Sequence, residues 1–177
     1  ALAAVELTPA GITAHLETPA DLPTPWHDLG GGTRWLHPTG PQTLPEVHQG
    51  ELDDQPAPYP LLVTLGTSDT GIPWLFNCED LAVALTGDPT YAQDFARYLA
   101  AEIACNPWSA GVALDCVGLA AEVTDMNPDR LRAHPTGSDA AAEVLADAVA
   151  TIDRATDYAG DAVTARAAQT GADTWPA

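Results

Sequence analysis

The sequence predicts an α/β fold. The expected core is three-layered, with a mostly parallel or mixed sheet over residues 58–177, preceded by a β-rich lobe and Pro-rich linker over 1–57. Three observations predict it. Short apolar runs recur from residue 61 onward, at 61–65 (LLVTL), 72–77 (IPWLFN), 81–85 (LAVAL) and 111–117 (GVALDCV). Two longer segments carry apolar residues at helical spacing. The N-terminal third instead holds two hairpin-like patterns followed by a run of prolines.

Taken in order, 5–7 and 12–16 flank Thr8-Pro9-Ala10-Gly11, a turn sequence between two apolar runs. Residues 26–29 and 33–36 flank Gly30-Gly31-Gly32 in the same way. Prolines then fall at 38, 41, 45, 56, 58 and 60, which excludes a helix and reads as an extended wrap. The runs 61–65 and 72–77 read as strands, the second edge-like because Pro73 has no N–H for a ladder. The run 81–85 is short and wholly apolar, as a strand buried on both faces should be. Asp88 is a good N-cap and Pro89 suits the first helical position. Ala92, Phe95, Ala96, Leu99 and Ile103 then define a helix over 90–104, which Asn106-Pro107 stops. Strands are expected at 111–117 and, shorter, at 131–134. Residues 136–139 look like a capping pattern. Val144, Leu145, Ala148, Val149 and Ile152 mark a second helix, running from about 138 towards 170, with a break near Gly160 and Gly171 past its end. The strand–helix–strand order implies a right-handed parallel crossover. The chain starts at Ala1 in mid-pattern and stops at Trp175-Pro176-Ala177, a lead-in to another strand, so it reads as a piece of a longer protein.

Charge narrows the function. There are 25 acidic residues and six basic ones, all arginine (Arg34, Arg97, Arg130, Arg132, Arg154, Arg166), for a net charge of -19. That field repels phosphate backbones and anionic headgroups, so neither nucleic acid nor a membrane surface is an expected partner. The Ala-rich, Lys-free usage points to a high-GC genome. Three cysteines without a CxxC read as reduced and structural. No apolar run reaches membrane-spanning length. A cytoplasmic compartment is expected, with room for a membrane anchor elsewhere in the parent protein.

The candidate chemical site is the turn Thr86-Gly87-Asp88-Pro89-Thr90-Tyr91, where a strand, a glycine and a helix N-terminus imitate a phosphate-binding loop. It departs from the G-x-x-x-x-G-K-[ST] pattern in four ways. The loop is short, with one glycine. Pro89 lacks the N–H an anion needs. Asp88 puts a negative charge where phosphate would sit, a repulsion of about 4 kcal/mol at ~4 Å and an effective dielectric near 20. The chain has no lysine. Nothing else supplies a motif. G-x-G-x-x-G, G-x-S-x-G, H-E-x-x-H and the EF-hand pattern are all absent. His15, His27, His37, His48 and His134 lack zinc spacing, although His27 and His37 flank the second hairpin and could share a face. The pairs Glu79-Asp80 and Asp53-Asp54 are what so acidic a chain gives by chance. Trp26 and Trp35 are expected to pin the hairpin, and Trp108 to plug the end of the first helix. No catalytic, cofactor or metal residue is assigned.

The stretches PYPLLVTLGTSDTG (58–71), LAVALTGDP (81–89), NPW (106–108) and GVALDCVG (111–118) resemble a cytoplasmic region of large actinobacterial membrane proteins. Those proteins carry a LysM module and a BTAD-type helical-repeat domain. The resemblance runs from about residue 5 to the end. That region in turn resembles the P-loop ATPase core of FtsK/HerA-type translocation motors, in which a strand pair precedes the Walker A strand. The resemblance implies a partial, degenerate P-loop NTPase core. Because residues 86–91 depart from the motor's phosphate loop, it carries over no catalytic residue. The expected function is thus a non-catalytic assembly or regulatory module, pseudo-ATPase-like, with protein partners and no cofactor. Two alternatives stand beside it. One is an enzyme whose site converges only in three dimensions, in a pocket lined by Asp88, Thr90 and His134 or Arg132. The other is an acidic module that binds a basic protein.

Overall fold

Short apolar runs separated by turn sequences along the first forty positions form a sheet in the computed structural model, which describes residues 1–40 and 57–159. The strands are β1 (Leu2–Thr8), β2 (Gly11–Leu16), β3 (His27–Asp28), β4 (Arg34–Pro38), β5 (Leu62–Thr67) and β6 (Pro73–Asn77). They form one sheet in the order β3-β4-β2-β1-β6-β5, every neighbouring pair antiparallel. Register lines up Trp35, Ala14, Val5 and Leu75 across four strands. All four are buried, so this cross-strand row is the apolar spine of the sheet. Two polar groups at its margins are satisfied internally. Asn77 Nδ2 donates to the Leu2 carbonyl at 3.0 Å, and Trp35 Nε1 to the Gly32 carbonyl at 2.9 Å. At Gly11, φ is +149°, and a Cβ there would collide with the His37 carbonyl on β4. Only glycine lets the two strands approach so closely.

The second unit holds helix α1 (Pro89–Cys105), strands β7 (Leu114–Val117) and β8 (Leu131–His134), helix α2 (Asp139–Ala159), and 3-10 turns at Pro107–Ser109 and Ala121–Met126. Strands β7 and β8 pair in parallel, Leu114 opposite Leu131 through Val117 opposite His134. Alternation then sends Asp115, Val117, Arg132 and His134 to one face. Cys116 and Leu131, on the other face, are buried. Cys116 packs with Ala100 of α1 and with Ala120, ringed by Leu114, Leu119 and Val123.

The C-terminus of α1 is closed by side chains rather than by glycine. Arg130 donates to the carbonyls of Ile103 (3.3 Å), Ala104 (2.5 Å) and Ser109, and Asn127 Nδ2 adds a bond to Ala104 at 3.1 Å. The carbonyls of Ile103 and Ala104 are among those that a helix end leaves without intrahelical partners. Asn106 Oδ1 accepts from the Trp108 N–H and starts the following 3-10 turn.

The fold is mixed α/β, with three differences from the expected core. First, its large sheet is antiparallel and belongs to the N-terminal unit, while parallel pairing appears in β7–β8. The runs expected at 61–65 and 72–77 do form strands, but β6 pairs with β1, so both join the N-terminal sheet. The compact units are Ala1–Asp53 with Leu62–Asn77, and Asp54–Leu61 with Cys78–Ala177. Second, residues 81–85 form no strand, and Leu81, Val83 and Leu85 are 47, 53 and 38% exposed. Apolarity states a preference for burial; it does not supply the neighbour that would satisfy it. Third, Trp108 is 43% exposed and does not plug the end of α1, a place the Arg130 guanidinium occupies. The expected extension of α2 towards 170, most of the Pro-rich linker, His48, Asp53-Asp54, Arg166 and Trp175 lie outside the described residues.

Candidate functional site

The corner at residues 86–91 is built around its own helix end. Gly87 turns the chain with φ of +111°, and Asp88, in an extended conformation, begins α1. The Thr90 N–H donates to Asp88 Oδ1 at 2.8 Å and the Tyr91 N–H to the same oxygen at 3.4 Å. Pro89 fills the first helical position, where no N–H is available. The amides that would face an anion therefore already bind an internal carboxylate, as the sequence suggests. What the sequence does not suggest is the approach to this corner, since no strand leads into it.

A second cluster lies on the outward face of β7–β8. Asp115 Oδ1 meets His134 Nε2 at 2.7 Å, and Asp115 Oδ2 accepts from Arg132 at 2.8 Å. Asp115 and His134 side chains are each only 15% exposed, whereas Arg132 is largely in solvent. Next to them is a cleft of about 370 Å³, whose lining includes Arg97, Leu119, Ala120, Glu122, His134 and Pro135. Its floor is fixed by backbone geometry. Gly118 (φ +73°) has no room for a Cβ beside Thr136 Oγ1, and Ala120 is left-handed at φ +58°. Arg97, the cation at the cleft, is already held by Glu122 Oε1 at 2.6 Å and Asp94 Oδ1 at 3.0 Å. A guanidinium between two carboxylates offers little to an incoming anion. Burial, aided by the nearby charges of Asp115 and Glu122, pushes the Cys116 thiol up from its usual range. It thus stays a protonated core thiol at neutral pH. Cys78 is pushed the same way, by burial and then by Glu102.

Of the residues that sequence reasoning grouped as an unorthodox pocket, only His134 lines the cleft; Asp88, Thr90 and Arg132 do not. Nor do His27 and His37 share a face. His27 opposes Leu36 in the ladder, so the next residue, His37, points the other way and meets Trp26 edge-on, with ring centroids 5.1 Å apart. The Asp115–His134 pair was missed for lack of any signal. The two residues are nineteen apart in sequence and meet only because β7 and β8 are parallel and offset to match Val117 with His134. His15 and Glu6 meet similarly across β1–β2, at 2.6 Å, with His15 against Trp74. Among the described residues there is no group of three or more His, Cys, Asp or Glu arranged to hold a metal ion. No helix among them is long and apolar enough to cross a membrane. Comparisons with protein-family models, curated proteins and solved structures find no match to this chain.

Proposed function

We propose that this chain is a non-catalytic assembly or regulatory module, pseudo-ATPase-like, of a larger membrane-associated protein of the LysM- and BTAD-bearing kind, working in the cytoplasm through protein contacts. One observation carries the reading. The carboxylate of Asp88 accepts from the Thr90 and Tyr91 amides at the one helix corner that resembles a phosphate loop. Phosphate at that corner would have to displace an internal anion and face it at close range, without a lysine to compensate. The net charge of -19 supports the same conclusion for any polyanionic ligand. Titrating the chain with ATP or GTP and Mg²⁺ in a calorimeter is expected to give no binding heat; saturable binding in the micromolar range would end the reading.

A second reading, an enzyme with an unorthodox site, draws on the largely shielded Asp115–His134 pair beside the cleft. An aspartate holding an imidazole is the orienting half of an acid–base arrangement. It lacks the other half, since none of the residues that line the cleft is a serine, threonine or cysteine. Hydrolysis of an activated ester that disappears in His134→Ala and Asp115→Asn would favour the enzyme.

A further inference from the structure

We propose that the exposed apolar stripe of α2 docks a basic amphipathic helix from a partner protein. This deepens the assembly reading and rests on it for the claim that docking is the domain's role. Leu145, Val149 and Ile152 are 66, 51 and 63% exposed and follow one another by four and three residues, so they form one ridge along the helix. The adjacent strip, Ala141, Val144, Ala148 and Thr151, is partly or fully covered. Helix α2 therefore has two neighbouring stripes, one partly covered and one left open. A pattern of large apolar residues repeating over two turns at the surface marks an interaction site rather than scattered exposure.

Spacing and charge together define the occupant. A ridge with this helical repeat interdigitates with another helix. The helix bearing it carries five exposed acids, Asp139, Glu143, Asp147, Asp153 and Asp157. Asp153 follows Val149 by four residues and is rotated about 40° from it, at the edge of the ridge. The one cation in α2, Arg154, is turned back onto its own helix, bonding the Ala150 carbonyl and Thr151 Oγ1. A second copy of this chain would bring acid against acid, and an anionic membrane would be repelled. A helix with leucine-like anchors between lysines and arginines matches both the ridge and its charged border.

The test uses the full chain and three synthetic helical peptides of about five turns. They share one leucine stripe and differ only in a Lys/Arg, Gln or Glu polar face. The Lys/Arg peptide is expected to bind, with affinity falling as NaCl rises, and the Glu peptide to fail. Replacing Leu145, Val149 and Ile152 together by serine should leave melting unchanged, because the three are exposed, and weaken the Lys/Arg peptide at least about tenfold. Asp153→Asn with Asp157→Asn should flatten the salt dependence. Equal binding of the Gln and Lys/Arg peptides would overturn the basic partner while leaving the ridge as a docking face. A sedimenting dimer dissolved by the serine variant would make the occupant a second copy. Binding to phosphatidylserine vesicles, lost in the serine variant, would make it a membrane. If none of these binds, the docking face itself is refuted. Nucleotide binding at Asp88 would instead overturn the assembly reading and leave a measured peptide affinity standing.

Discussion

Asp88 and Arg130 close the two ends of α1 by different means, and their removal should differ in cost. Asp88 is exposed and its role is local. Asp88→Ala should lower stability by about 1 kcal/mol in a denaturant titration, the usual loss of an N-cap. Arg130 reaches several carbonyls at once from a partly buried position. Arg130→Ala should cost about 3 kcal/mol in the same measurement, because the Ile103 carbonyl would lose its guanidinium donor and the Ala104 and Ser109 carbonyls would each lose one of two donors. Arg130→Lys should recover little of it, since an ammonium cannot reproduce the planar fork. The Asp88 cap was legible from Thr86-Gly87-Asp88-Pro89, because capping is a local rule of sequence. The Arg130 clamp was not, because its bonds cross twenty or more residues to Ile103, Ala104 and Ser109, and no short pattern encodes them.

At the scale of elements, the legible ones obey their own periodicity and the illegible ones depend on neighbours. Helix α1 falls at Pro89–Cys105 against an expected 90–104, and β8 where its run was read. The second stripe does form a helix, yet Leu145, Val149 and Ile152 stay uncovered, since periodicity locates an apolar face without naming what covers it. Residues 81–85 fail for the same reason. The strand β7 offers an elemental test of how its core face is packed. Cys116 on β7 and Cys78 both hold their protons more tightly than an ordinary thiol, chiefly through burial. In the unfolded chain they would revert to about 8.5. As pH rises past that value, the unfolded chain releases these protons first, so stability should be intact below about pH 8.5 and fall above it. Denaturant titrations from neutral to alkaline pH should show this decline, and it should shrink in Cys116→Ala with Cys78→Ala. At neutral pH, exposed Cys105 should react with a thiol reagent well before Cys116.

For the whole molecule, the sequence conveyed the α/β class, the acid excess and the Asp88 cap at the start of α1. It did not convey the allocation of strands. The runs that hold Val63 and Leu75 read as strands of the core that follows the linker, and it is long-range pairing of β6 with β1 that places β5 and β6 in the N-terminal unit. Charge acts on the molecule as a unit, since a net charge of -19 sets up a field that repels polyanions. The most direct measurement is amide NMR of the chain titrated with Mg²⁺-ATP, following the Thr90 and Tyr91 N–H signals. Both should stay fixed at saturating nucleotide, because Asp88 already holds them. Saturable shifts confined to these two amides and to Gly87 would mean that a phosphate had taken the place of the carboxylate, and that the domain binds nucleotide after all.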